Sequence, residues 1–181
     1  MISKVGVIGA GSMGTALAQS ISTRVEEVIL YGRRREVVDS VNNLRCNKNY
    51  FPSLHLNPNI RAKLTSDSLD LADCEAIIIT IPSSEVRSAV NTIRDELSDT
   101  ILITVAKGLE YPSLKTMSDV ILEESKNPNI VSFSGPNFAD EIVYGHLAGA
   151  TIGTDNSSLR EIMSDLFREF ILDFSDDVRA V

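Results

Sequence analysis

The chain has 181 residues, and at about 100–200 residues per domain that is one domain. It is 43% hydrophobic and carries 25 acidic against 17 basic residues, for a net charge of −8. That much apolar material excludes a disordered chain or a disulfide-dependent miniprotein, and the acidic balance argues against a nucleic-acid partner.

Taken in order, residues Lys4–Ile8 form a short apolar run closed by glycine. Met13, Ala16, Leu17, Ser20 and Ile21 follow at helical spacing. Residues 27–31 read as a second strand, and Val37, Val41 and Leu44 mark a second helix. The Pro- and Asn-rich stretch 47–59 reads as loop, and Ile60–Leu64 as a short strand. Residues 76–81 give the strongest strand signal: a β-branched run, apolar without alternation, as in a strand buried on both faces. Pro82 stops it, and Ser83 and Ser84 read as helix caps. Val86, Ala89, Val90, Ile93 and Leu97 make one face of the next helix. The cycle repeats with a strand at 101–105 and a helix around 114–122. It repeats again with a strand at 130–133, a helix at 137–144 and a strand at Ala148–Gly153. Leu159, Ile162, Met163, Leu166 and Phe167 form the last helical stripe, with Ser158 and Glu161 spaced as a capping box, and 170–174 adds a strand.

Strands alternating with helices predict a mainly parallel sheet with right-handed crossovers and helices on both faces. No linker, repeat or low-complexity tract divides 1–181, and the charged closing segment 173–181 offers no stop, so the chain reads as cut. No apolar run approaches about 20 residues, so no membrane span is expected. Cys46 and Cys74 lack metal-ligand spacing, and no metal site is expected. Two thiols without a basic-then-apolar leader fit a cytoplasmic protein.

Gly9-Ala-Gly11-Ser12-Met13-Gly14 fits G-x-G-x-x-G, placed between a first strand and a first helix. In that context Gly9 makes the tight turn, Gly11 lets backbone approach a pyrophosphate, and Gly14 lets helix and strand pack closely. Amides at the helix start, at the positive end of its dipole, then bind the diphosphate. The fold class is therefore Rossmann-like, α/β and doubly wound. At the end of the second strand, about 20 residues on, an NAD site carries an acid that bonds the ribose 2′-hydroxyl. Here Gly32-Arg33-Arg34-Arg35 stands there, with no acid until Glu36. Arg33 and Arg34 suit a 2′-phosphate, and one charge-assisted bond of about 1.5–3 kcal/mol is worth roughly tenfold or more. NADP(H) is the expected cofactor, with NAD(H) as the alternative.

Ligands of such sheets bind outside the carboxyl ends of the strands. Lys107, directly after an apolar strand and before glycine, can reach into that crevice, bind a substrate phosphate or polarise a carbonyl. Gly135-Pro136 lets a ligand sit close, and Asn137 would start a helix whose amides could hold an anion. The two histidines, His55 and His146, stand near no carboxylate pair or serine elbow; His146 falls in a turn and reads as structural or exposed.

These residues resemble the NAD(P)-dependent glycerol-3-phosphate dehydrogenases of bacterial and archaeal type. The matching stretches are 9–18, 31–33, 49–52, 81–83, Ala106-Lys-Gly-Leu-Glu110 and Ser134-Gly-Pro-Asn-Phe-Ala-Asp-Glu141, spanning almost the whole chain. The last two are much more specific than the glycine turn. The resemblance implies reduction of dihydroxyacetone phosphate to sn-glycerol 3-phosphate by NADPH or NADH. It implies cofactor contacts at Ser12, Met13, Arg33 and Ala139, with weaker ones at Arg34 and Tyr50. Lys107 would touch cofactor and substrate, and Gly135 and Asn137 substrate. The family's catalytic lysine lies in a Gly-Ala-Leu-Lys-Asn-like motif opening a second, all-helical domain, and a later Arg-Asn pair binds substrate. Asp177-Val-Arg-Ala-Val181 resembles the run just before that motif. The expectation is a dinucleotide-binding domain, 1–181, that binds cofactor with little turnover and takes a small phosphorylated substrate. Apolar surface left by an absent helical domain would favour self-association, a homodimer included. The rival readings are a non-catalytic NADPH-binding or sensor module and another two-domain hydroxy-acid or sugar dehydrogenase.

Overall fold

The computed structural model describes residues 2–67, 69, 71, 73–97 and 99–181. Eight strands form one sheet in the order β3-β2-β1-β4-β5-β6-β7-β8. They are β1 (Lys4–Ile8), β2 (Glu27–Gly32), β3 (Ile60–Leu64), β4 (Ala76–Ile79), β5 (Ile101–Thr104), β6 (Ile130–Ser134), β7 (Ala148–Gly153) and β8 (Phe170–Ser175). The helices are α1 (Ser12–Ile21), α2 (Arg35–Leu44), α3 (Ser83–Ile93), α4 (Met117–Ser125), α5 (Ala139–Val143) and α6 (Leu159–Leu166), and a 3-10 turn, Arg94–Glu96, extends α3.

The fully apolar strands follow from burial on both faces. Val5, Val7, Val28, Leu30 and Ile78 point to one side, where α1, α2, α5 and α6 pack. Ile8, Ile29, Tyr31, Ile77 and Ile79 point to the other, under α3 and α4. Successive strand residues thus serve opposite layers, and neither face can be polar. The doubly wound fold is as the alternation predicted. Chain order runs outward from β1 through β2 to β3, then returns to β4 on the other side of β1 and runs through β5 to β6. The strand order therefore reverses between β1 and β4.

One pairing departs from the parallel rule: β7 runs antiparallel to β6 (Ser132 opposite Gly153), and β8 is again parallel to β7. The connection 135–147 contains only the five-residue α5, too short to cross a face and return. It therefore stays at the carboxyl edge of the sheet, where α5 packs on α1.

The helix ends correct several expectations. Ser158 does not cap α6 through its side chain; its hydroxyl and amide both bond the Asn156 carboxamide oxygen, at 2.6 and 3.1 Å. Ser83 and Ser84 are the first two residues of α3, not its caps, and the capping position is Pro82, which has no side-chain donor or acceptor. α4 starts at Met117 rather than near 114, because Thr116 caps it by accepting from the Asp119 amide at 3.2 Å. Stretch 47–59 lacks helix and strand as expected, yet buries Asn47, Phe51 and Leu56. Arg45, in a left-handed conformation at the end of α2, ties it down by donating to the Ile60 carbonyl at 2.8 Å.

Candidate functional site

An open cleft of about 840 Å³ lies outside the carboxyl ends of β1, β2 and β4, at the reversal of strand order. Its floor is Gly9-Ala10-Gly11, and its walls include Arg33, Arg34, Tyr50, Thr80 and Glu85.

The glycine turn is held from several sides. Gly9 has φ +117°, a region that disfavours side chains, and a Cβ there would come within 2.5 Å of Thr80 Oγ1. Thr80 Oγ1 donates within reach of the Ile8 and Gly9 carbonyls, at 3.0 and 2.9 Å. A Cβ on Gly14 would fall 1.8 Å from the Gly9 carbonyl oxygen, so this residue must be glycine for α1 to rest on the turn. The fully buried Asn47 donates to the Ala10 carbonyl at 3.2 Å and to Thr15 Oγ1 at 2.8 Å. Gly11 is different. A Cβ there meets nothing within 4 Å, and its φ of −81° suits any residue. Among the described residues nothing requires glycine at this position; the space it leaves opens on the cleft in front of the first amides of α1. A diphosphate fits that space and that charge.

Ser12 is exposed and Met13 half-buried at the start of α1, beside the cleft floor; Met13 packs on the core. Ala139, the first residue of α5, is half-buried and packs on the same core. Arg33 and Arg34 leave the end of β2 into the cleft wall, as their place in the sequence predicted. Arg33 has 72% of its side chain exposed and pairs with Glu85 at 3.0 Å. The Arg34 guanidinium stacks 5.8 Å from the centre of the Tyr50 ring and donates to its hydroxyl at 3.2 Å. Glu36 stands 3.8 Å from Arg34.

Lys107 belongs to a second, smaller hollow of about 320 Å³ at the carboxyl ends of β5 and β6. It is exposed, and its ammonium donates to the Gly135 carbonyl at 3.3 Å. Gly135 makes room for β7: a Cβ there would be 2.6 Å from the Gly149 carbonyl oxygen. Asn137 is buried and does not start the helix; α5 begins two residues later, after Phe138. Its carboxamide donates to the Gly149 carbonyl at 3.1 Å, so in this state it fastens the β6–β7 connection to β7. α5 is also too short to offer the anion-binding start expected of it.

The loop carrying Lys107 is anchored by Glu110. That carboxylate accepts from Arg87 of α3 at 2.7 and 2.9 Å, and from Ser113. Arg87 also donates to Glu123 at 3.0 Å and to Glu124. The Arg87 and Ser113 hydrogen bonds hold the Glu110 carboxyl down at about 2, and its three carboxylate partners push Arg87 above its usual value. Both histidines are exposed. Among the described residues no group of three or more His, Cys, Asp and Glu could hold a metal ion, and no helix is long and apolar enough to cross a membrane.

Three residues that shape the cleft were missed in the sequence: Asn47, Thr80 and Glu85. Asn47 sits in a stretch whose asparagines all signal turn, and no local pattern marks one as buried. Thr80 reads as strand, whereas β4 ends at Ile79 and frees its hydroxyl for the turn. Glu85 reads as an acid in a helix's first turn.

Fold and site together define a Rossmann-type dinucleotide-binding protein. The family described as NAD-dependent glycerol-3-phosphate dehydrogenase N-terminus matches residues 4–160, and the chain belongs to it. It is 43% identical over 178 residues to the glycerol-3-phosphate dehydrogenase (NAD(P)+) of Methanothermobacter thermautotrophicus, covering 98% of this chain and 55% of that protein. It is 34% identical over 187 residues to the enzyme of the same name from Enterococcus faecalis, covering 100% of this chain and 55% of that protein. The chain thus spans about half the length of these curated relatives. The glycerol-3-phosphate dehydrogenase structure from Coxiella burnetii shares the fold, with TM-score 0.86 over 97% of this chain and 54% of that one, at 22% identity.

Proposed function

We propose that residues 1–181 form the dinucleotide-binding domain of a glycerol-3-phosphate dehydrogenase that prefers NADP(H) and also accepts NAD(H). The observation that carries the cofactor reading is the Gly11 opening in front of α1, in the same cleft as two arginines where an NAD site would carry an acid. The cofactor, when bound, supplies the hydride for a ketone carbon. Gly9, Gly11 and the first amides of α1, with Ser12 and Met13, seat the diphosphate. Gly14 acts by packing. Arg33, and Arg34 braced by Tyr50, receive the 2′-phosphate. Ala139, the first residue of α5, is a further cofactor contact in this reading.

The substrate reading, dihydroxyacetone phosphate reduced to sn-glycerol 3-phosphate, is supported by what the curated relatives are named. Lys107 supplies a positive charge for the substrate phosphate or the developing alkoxide, beside Gly135 and Asn137. The proton for that alkoxide is assigned to a group outside residues 1–181. By this reading the isolated chain binds NADPH and turns over little; brisk reduction of dihydroxyacetone phosphate by these 181 residues would refute that assignment. No observation favours the sensor module or another dehydrogenase class.

The test of the cofactor reading is Arg33→Ala with Arg34→Ala. Loss of even one charge-assisted bond, at about 1.5–3 kcal/mol, lowers the ratio of NADPH to NADH affinity by roughly tenfold or more. An unchanged ratio contradicts it.

A further inference from the structure

Glu85, in the first turn of α3, faces Arg33 across the cleft. Both of its carboxylate oxygens contact one guanidinium nitrogen, Nη1, at 3.1 and 3.0 Å. A carboxylate is favourable at this end of a helix, so Glu85 is stable there without Arg33. The pair is exposed, Arg33 more than Glu85, and exposed pairs are weak and easily exchanged. Arg34 is held in another way, by the ring and hydroxyl of Tyr50. Both cations that would read a 2′-phosphate have an acid near them, but only Arg33 is hydrogen-bonded to one: Glu85 is within 3.0–3.1 Å of its Nη1, whereas Glu36 stands 3.8 Å from Arg34.

We propose that Glu85 is a specificity-determining residue for the cofactor, which holds down the preference for a 2′-phosphorylated dinucleotide; this rests on the reading of Arg33 as a phosphate ligand. A phosphate bonded to Arg33 would stand two hydrogen-bond lengths from the Glu85 carboxylate, about 5–6 Å. At that distance a doubly charged phosphate and a carboxylate repel, even with water-like screening, by enough to weaken binding about three- to tenfold at moderate salt. An unphosphorylated ribose has no charge to repel, and its 2′-hydroxyl can donate to the carboxylate. Glu85 therefore acts on the two cofactors with opposite sign. It does in part, from α3, what an acid at the end of the second strand does in an NAD site.

The experiment is calorimetric titration of NADPH and NADH into the chain and its Glu85→Gln, Arg33→Ala and doubly substituted variants, with thermal unfolding as a check on folding. Glu85→Gln is expected to tighten NADPH about three- to tenfold, to leave NADH equal or weaker, and to lose most of its gain when Arg33 is alanine. An NADPH affinity unchanged or weakened by Glu85→Gln, with Arg33→Ala still lowering the NADPH to NADH ratio, overturns the role of Glu85 and leaves the cofactor reading standing. A ratio indifferent to Arg33→Ala removes Arg33 as a phosphate ligand, and this proposal with it; the cofactor reading falls only if the ratio is also indifferent to Arg33→Ala combined with Arg34→Ala.

Discussion

At the ends of β1, β2 and β4 the cleft floor is backbone: a Gly9 at positive φ, a Gly14 in contact with it, and bonds from Thr80 and Asn47 to the turn's carbonyls. At the ends of β5 and β6 the smaller hollow depends on an exposed Lys107, placed by one hydrogen bond at 3.3 Å and by a loop anchored through Glu110. The first is shaped by backbone and by short side chains that are themselves held in place. The second presents a charge without a closed surface around it. A backbone cradle can be complete within one domain, whereas a pocket made by long side chains waits for whatever orders them.

The contrast breaks most visibly at Gly14. Gly14→Ala puts a methyl 1.8 Å from the Gly9 carbonyl oxygen, and neither backbone can yield cheaply. Overpacking of this kind costs about 1–3 kcal/mol, and the upper end is expected here, with cofactor binding lost as the turn shifts. Denaturant unfolding together with NADPH titration checks both effects. Asn47→Ala comes next: it leaves the Ala10 carbonyl and Thr15 hydroxyl without their buried donor, at a cost of about 1–3 kcal/mol, read in the same unfolding experiment.

The smallest effect belongs to the second hollow and depends on pH. The carboxyl of Glu110 is held near 2 in the fold, against an ordinary 4.5. A depressed carboxyl stabilises the fold fully above its unfolded value and loses that contribution as pH falls from about 4.5 toward 2. Glu110→Gln should therefore flatten the acid limb of the stability profile across that window and change little above it. A profile of unchanged slope in the variant would remove Glu110 from the account of how the Lys107 loop is held.

The sequence made the first region far more legible than the second. Ile77, Ile78 and Ile79 announce a doubly buried strand because no polar residue interrupts them, and the spacing of Gly9, Gly11 and Gly14 fixes the turn between β1 and α1. Arg33 and Arg34 were placed correctly because the end of β2 is a position set by topology. Glu85 and Asn47 escaped because their partners lie 52 and 37 residues away, and nothing local in either stretch points to them. Asn137 was misjudged for a related reason: a polar residue after Gly-Pro looks like a helix start until β7 is seen to pass beneath it. The antiparallel β7 was hidden too, since a five-residue helix and a crossover helix begin with similar apolar spacing.

The central claim is that Gly11 is glycine for the sake of a ligand, not of the fold. Gly11→Val tests it: NADPH and NADH are titrated at low salt into the original chain and the variant, beside their unfolding curves. The account predicts that the original chain binds both, NADPH more tightly, and that the variant unfolds like the original within about 0.5 kcal/mol while binding falls at least about tenfold. Equal cofactor affinity in a folded Gly11→Val variant, or no binding by the folded original chain, would contradict it.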